Sequence, residues 1–468
     1  MKNGIIKNYI GDSKFYRMVL GVAIPIMIQN GITNFVNLLD NIMVGRLSTE
    51  QMSGVAIVNQ LIFIYYLCMF GGLSGVGIFT AQYFGYKDEE GIRHTIRYKM
   101  WLGFIISILV VVILMSMGSE LINIYLQGTT DSGDPVKTLD YGMQYLGVIL
   151  FMFPAVYIGF LLSSTLRECG ETVLPMKAGI AAIFVNLCFN YLLIYGKFGF
   201  PRLGVRGAAA ATVLSKYVEM GIILIWCMKN TEKHSYFHGL FRTILIPWKL
   251  VLKFLKTGMP LLLNEGLWAL GVAMLAQAYS LRGLDVVAGQ NIANTINNIF
   301  NIVFIALGDA VAIIIGQYLG AGKLEEAKDA DRKIIAMAVA SSVVIGLLMF
   351  STSGLFPRIY NTSDASKKIA TLFIMVQAIF LPKDAFLHTA YFTLRSGGKT
   401  IITFFFDSVF MLVISVPVAY LLTLFTGLHV AVIFAAVHAA DLIKCVIGYV
   451  LVKKGVWVKN IVKEEMTA

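Results

Sequence analysis

Three carboxylates stand inside long apolar runs: Asp40 after Leu38-Leu39, Glu265 between Leu261–Leu263 and Trp268, and Asp384 beside Lys383. A charged side chain at the middle of an apolar helix costs about 2.5–3.5 kcal/mol on insertion scales, so each of these positions asks for a function. A buried carboxyl suits taking up a proton, and with amide oxygens beside it suits holding a sodium ion. Asp40 has such company. Asn30, Asn34 and Asn37 follow one another at helical spacing, and Asp40 comes three residues later. Asn186 and Asn190, four apart, share one face of another apolar run. The plainer use of such amides is hydrogen bonding between helices, and that of Asp384 is an ion pair with Lys383. Two carboxylates on separate helices, Glu265 and Asp384, favour cation handling. The candidate ion-coupling set is therefore Asp40, Asn186, Asn190, Glu265 and Asp384, with a proton or sodium as the ion and no other cofactor or resident metal.

A second group of residues suits a ligand rather than an ion. Asn291, Asn294, Asn298 and Asn301 form a polar stripe that would be unfavourable against lipid. Phe63, Tyr65, Tyr66, Met69 and Phe70 offer aromatic faces and an adaptable thioether, which suit flat cationic molecules. For any one of these the bland reading is helix packing or lipid contact. Asn34, Asn37, Tyr66, Met69, Trp268, Asn294 and Asn298 are the residues expected to line a substrate cleft. Gly71, Gly72, Gly75 and Gly77 permit close helix contact or bending beside it.

The elements that must position these groups are membrane helices. Of 468 residues, 57% are hydrophobic and only 14% charged, where an ordinary soluble domain has about 25%. Apolar stretches long enough to cross a bilayer recur throughout and do not alternate in the manner of barrel strands. Twelve spans are expected, at about 18–44, 52–81, 100–118, 141–164, 173–195, 206–228, 251–281, 286–317, 333–354, 369–394, 400–425 and 429–452. With the N-terminus inside, 26 Lys and Arg fall on the cytoplasmic side and 9 on the other. That asymmetry accounts for a net charge of +11 by membrane orientation, without a nucleic-acid partner. The polar stretch 229–249 reads as a cytoplasmic linker, and Phe237–Lys256, rich in aromatics and lysines, as a helix lying on the membrane surface. His234 and His238 within it lack a third ligand and read as solvated. The five cysteines form no CxxC pair, so neither a disulfide framework nor a zinc site is supported. The first span is too long for a signal h-region and reads as its own insertion signal.

The chain also repeats itself. Gln82-Tyr83-Phe84-Gly85 and Gln317-Tyr318-Leu319-Gly320 lie 235 residues apart, as do Pro25 and Pro260, and Thr165-Leu166-Arg167 is echoed by Thr393-Leu394-Arg395. Duplication of this kind marks transporters whose substrate site lies between two related bundles. Two bundles are expected, at 15–228 and 250–455, related by a twofold axis along the membrane normal.

Pro25, Asp40-Asn41-Ile42-Met43-Val44-Gly45-Arg46-Leu47, the Gln82–Gly85 helix end, Leu166-Arg167 with Gly170, Asn186, Asn190 and the segment from Gly199 to Thr212 together resemble the first half of the multidrug and toxic compound extrusion (MATE) transporters. Pro260, Gln317–Gly320 and Leu394–Gly398 repeat the pattern, and the likeness runs from about residue 15 to 455. The resemblance implies an all-α membrane protein of two six-helix bundles in a V shape, exporting drug-like, mainly lipophilic cationic compounds by antiport. Asp384 stands eleven residues before Arg395, as the family's aspartate does before its arginine. Two positions depart from the pattern: Asn190 stands where some members have Asp, and Glu265 about one turn before the family's usual glutamate, near Trp268.

Other classes find less support. A lipid-linked saccharide flippase of the same superfamily calls for a basic cavity. An integral-membrane enzyme lacks any Gly-x-Ser-x-Gly, His-Glu-x-x-His or Walker A pattern, and neither His388 nor His438 has an obvious metal partner in sequence. No selectivity-filter sequence marks a channel. The expected setting is a bacterial plasma membrane, with both termini cytoplasmic, membrane lipid and small organic molecules as partners, and a functional monomer.

Overall fold

The structure, a computed structural model, describes residues 9–45, 47–126, 134–232 and 234–463, apart from the side chains at positions 37, 38, 41, 42 and 45. Asn37, Arg46 and Lys233 therefore lie outside the described side chains. Among the described residues the regular elements are all helical. In chain order they are α1 (Ser13–Gly45), α2 (Thr49–Tyr86), α3 (Glu89–Leu126), α4 (Pro135–Glu168), α5 (Val173–Tyr195), α6 (Val205–Lys229), α7 (Trp248–Ser280), α8 (Leu284–Phe300), α9 (Ile302–Gly320), α10 (Leu324–Thr352), α11 (Asp364–Ser396), α12 (Thr400–Phe425) and α13 (Val430–Lys453). Twelve of them are long and apolar enough to cross a bilayer, α8 being the exception.

Helix ends follow local chemistry. Asp134 caps α4, its side chain accepting from Val136 and Lys137 backbone N–H groups, with Pro135 at the first helical position where its missing donor costs nothing. Ser363 caps α11 in the same way, accepting from Ser366 N at 3.0 Å. Gly196 ends α5 in a left-handed conformation, φ 66°, which only glycine adopts without strain. Pro25, Pro260 and Pro382 sit inside α1, α7 and α11. Each lacks an N–H to donate one turn back, a defect tolerated within packed membrane helices.

Two expectations are corrected. The eighth span is not one helix, because α8 and α9 are separated at Asn301, the last of the four asparagines in the polar stripe. The linker carries no surface-lying helix over 237–256. Short 3₁₀ turns occupy Ser235–Phe237 and Leu240–Arg242, an irregular stretch follows, and helix resumes only at Trp248. Gly239 at φ 74° and Pro247 explain the break: the first needs a left-handed backbone, and the second disfavours helix in the residue before it.

The chain divides into two compact units. One comprises 28–77 and 89–252. Its helices meet through small residues, as bilayer packing favours. A Cβ added to Gly54 would come within 2.8 Å of the backbone of Gly142, and Tyr65 is fully buried against Phe153 with its hydroxyl 2.9 Å from Ser107. The other unit comprises 9–27, 78–88 and 253–463. It holds a core of Tyr279, Phe373 and Phe434, the last two stacked with centroids 4.2 Å apart.

Candidate functional site

In the unit containing α5, Asn186 and Asn190 project from one face of that helix because they are four residues apart. Asn190 Nδ2 donates to Asp40 Oδ1 at 2.7 Å and to Asn186 Oδ1 at 3.0 Å. Turning the Asn186 amide about its last torsion places its nitrogen 2.9 and 3.1 Å from the two Asp40 oxygens and lets its oxygen accept from Thr212 Oγ1. Asp40 is thus held by neutral amide donors from a helix 146–150 residues away in sequence. Among the described residues no Lys or Arg pairs with it. The carboxylate, two amides and one hydroxyl of this cluster form a small polar island supplied by α1, α5 and α6.

The other unit holds a larger network. Pro382 leaves the Ala378 carbonyl without its usual helical donor, and Gly346 of α10 packs over that carbonyl, 2.6 Å from where its Cβ would stand. Immediately after this irregularity come Lys383 and Asp384. Lys383 Nζ lies 2.7 Å from Asp384 Oδ1, 3.1 Å from Asp441 Oδ2 and 3.4 Å from His438 Nδ1. Ser415 donates to the second Asp441 oxygen at 3.1 Å. One turn along α13 from Asp441, Lys444 pairs with Asp407 at 2.7 Å, and Asn264 of α7 donates to the other Asp407 oxygen at 3.2 Å. Asp407 sits in a π-helical stretch, Phe405–Val409, whose wider turn re-aims side chains and is frequent at functional sites. Ser408 locks Asn264 in place by donating to its side-chain and backbone oxygens, both at 2.7 Å. Glu265 follows Asn264 directly and lies within electrostatic reach of Arg395 and Asp407.

The expected coupling residues are therefore distributed as follows. Asp40, Asn186 and Asn190 form one cluster. Asp384 is ion-paired to its neighbour Lys383, and its other companions are His438 and Asp441 rather than Glu265, which adjoins the Asn264–Asp407–Lys444 group. Asp407, Asp441, Lys444 and His438 do not figure in the set drawn from the sequence. His438 in particular has two carboxylates within reach, which the sequence conceals because one lies on another helix.

The expected cleft residues are more dispersed. Asn294 and Asn298 are exposed on α8, and Asn294 accepts from Gln377 at 3.4 Å. Trp268 is exposed, three residues from Glu265. Tyr66 and Asn34 are half-buried. Met69 is fully buried, with its methyl group 3.4 Å from the position of a Cβ on Gly103, so in this structure it packs helices rather than lining a surface. Asn37 lies outside the described side chains.

The MatE family model matches residues 25–192 and again 262–421, one segment in each half of the chain and together well over half of it. The chain belongs to the MatE family. The twelve apolar helices among its described residues make this MatE protein multi-pass in the membrane, its family makes it a transporter, and the double match coincides with the internal repeat. Among similar proteins are a probable multidrug resistance protein NorM of Thermotoga maritima, 25% identical over 99% of this chain and 98% of its own, and the multidrug resistance protein PmpM of Pseudomonas aeruginosa, 28% identical over 87% and 83%. The fold matches a solved structure described as a crystal structure of MATE in complex with MaL6, with a TM-score of 0.83 over 96% of this chain and 97% of that one at 19% identity.

Proposed function

We propose that this MatE protein is a secondary active exporter of multiple organic compounds, mainly lipophilic cations, driven by antiport of protons or sodium. The observation that carries the reading is Asp40: a carboxylate on an apolar helix, 2.7 Å from the Asn190 amide, with no basic partner among the described residues. A desolvated cation needs a compensating negative charge, and a carboxylate held only by neutral donors is free to supply it. The relatives named as multidrug resistance proteins are consistent with such substrates. Glu265, within reach of Arg395 and Asp407, is the second candidate, while Asp384 acts through its network with Lys383. The candidate substrate-facing residues are Asn34, Asn37 and Tyr66 in one unit and Trp268, Asn294 and Asn298 in the other.

The flippase reading would draw on buried basic residues. Lys99, Lys216, Lys383 and Lys444 lie in these helices away from solvent, but each is paired with a carboxylate: Glu168 at 2.5 Å, Glu219 at 2.9 Å, Asp384 and Asp407. Their charge is spent locally, which argues against these lysines serving an anionic lipid carrier. We further propose two bundles at 15–228 and 250–455, joined by the 229–249 linker, acting as a monomer in a bacterial plasma membrane with both termini cytoplasmic. The test is export from cells expressing the protein. Ethidium-type dyes should leave faster than from cells without it, and equal or better export of anionic dyes would overturn the assignment.

A further inference from the structure

Asp384, His438 and Asp441 each turn one ligand-type atom toward a common point, all within 4.8 Å of one another. Two carboxylate oxygens and an imidazole nitrogen at that spacing are a donor set suited to a small cation. The point is already taken. Lys383 Nζ lies within hydrogen-bonding distance of all three residues, and its three N–H groups match three acceptors. The lysine side chain is 5% exposed, and Nζ also lies 5.5 Å from the centre of the Phe380 ring. The same ring stacks on His438, whose other neighbour is Phe434. The ammonium is thus flanked by the Phe380 ring and fixed by side chains from two helices, α11 and α13.

We propose that Lys383 is a tethered cation that holds the position a sodium ion would otherwise take among Asp384, His438 and Asp441, and so determines that this cluster excludes sodium. The inference deepens the antiport reading and rests on it for its meaning, since it removes one of the three carboxylate groups, beside Asp40 and Glu265 with Asp407, as a sodium site. The physical reason is occupancy and charge together. A second cation at the shared point would sit in contact with the ammonium while competing for the same three atoms. Among the described residues the Asp40 cluster carries no such lysine, so the two clusters differ in kind although they stand in different halves of one chain.

Sodium binding to the purified full-length protein tests this without transport. Asp40→Asn combined with Glu265→Gln serves as the parent, removing the other two candidate carboxylates. In the parent, adding Asp441→Asn should leave binding of radioactive sodium unchanged. Adding Lys383→Gln instead should raise saturable sodium binding about tenfold or more, with thermal unfolding shifted upward in sodium chloride relative to choline chloride. Asp441→Asn on top of Lys383→Gln should abolish the gain, and Lys383→Arg, which keeps the cation, should show none. Sodium binding in the parent that Asp441→Asn removes would overturn the proposal. So would a folded Lys383→Gln protein that binds no more sodium than the parent. If Lys383→Gln does not fold, the parent and its Asp441→Asn derivative still decide: equal binding supports exclusion and a loss overturns it. Failure of the antiport reading would appear separately, as absence of gradient-driven transport in the wild type.

Discussion

Gly85 and Gly320, 235 residues apart, meet each other's helix ends: Gly320 has its missing Cβ directed into the Gln82 carbonyl oxygen, and Gly85 into that of Gln317. The two Gln-Tyr-x-Gly sequences are therefore a reciprocal crossing of α2 and α9, at which neither helix has room for a side chain. The nearby Gln82 is fully buried and uses its whole amide there. It donates to the Ser396 and Lys459 carbonyls at 2.9 and 3.2 Å and accepts from Ile461 N at 2.9 Å.

Gly85→Ala and Gly320→Ala should each destabilise the protein by about 1–3 kcal/mol, because overpacking against backbone cannot be relieved by rotating a side chain. Gly221→Ala, where nothing stands within 4 Å, is the control and should be neutral or slightly stabilising. Thermal unfolding in detergent measures all three. Equal midpoints for all variants would mean that the crossing is loose.

Gln82→Ala should leave the Ile461 amide and two carbonyls unpaired and cost about 1–3 kcal/mol locally. Residues 455–463 follow α13 and are anchored by buried Trp457 and Val462 as well. Limited proteolysis should cut this segment faster in the variant than in the wild type, while cleavage in the 229–249 linker stays the same.

The Lys444–Asp407 pair is largely buried, so breaking it from one side leaves a lone charge. Lys444→Met should destabilise by about 3–5 kcal/mol, and adding Asp407→Asn should recover a substantial part of that loss. Unfolding midpoints of the two singles and the double give the coupling. Strict additivity would show that the pair contributes no more than its separate residues.

Much of the fold is legible from residue spacing. Ser13 and Trp248 begin helices of 33 residues each, and those starts are 235 residues apart, the same offset as the Gln-Tyr-x-Gly repeat. Length and apolarity suffice for this because a bilayer sets both. The interruption at Asn301 is not legible, since an asparagine there fits the polar stripe as readily as a helix break. The break in the linker is legible: Gly239 and Pro247 are signals against a continuous helix. The site is only half readable. Asn186, Asn190 and Asp40 are visible as polar groups in apolar runs, and their meeting follows from helix faces. The charge balance exposes the other cluster's lysines together with Lys216: 26 cytoplasmic and 9 opposite basic residues make 35 of 38, leaving Lys216, Lys383 and Lys444. Glu219 and Asp384 lie close to Lys216 and Lys383 in sequence, but Asp441 beside Lys383 and Asp407 beside Lys444 stay hidden, because they face the lysines across helices rather than along one.

Asn190→Ala should weaken the hold on Asp40 without removing its charge. The lost donor, 2.7 Å from the carboxylate, is worth about 1–3 kcal/mol when the partner remains buried. Gradient-driven dye transport should slow with protein level unchanged. Transport at the wild-type rate would show that Asp40 needs no such support.

The central claim is that buried carboxylates couple an ion gradient to export, and coupling requires ion and substrate to bias one conformational equilibrium in opposite senses. Gradient-driven dye uptake into everted vesicles, with membrane-inserted protein measured in parallel, tests it most directly. Asp40→Asn keeps the shape of the side chain and removes its charge, and it should impair uptake under an imposed proton or sodium gradient while insertion stays normal. Wild-type uptake by Asp40→Asn, Asp384→Asn and Glu265→Gln alike would contradict the account.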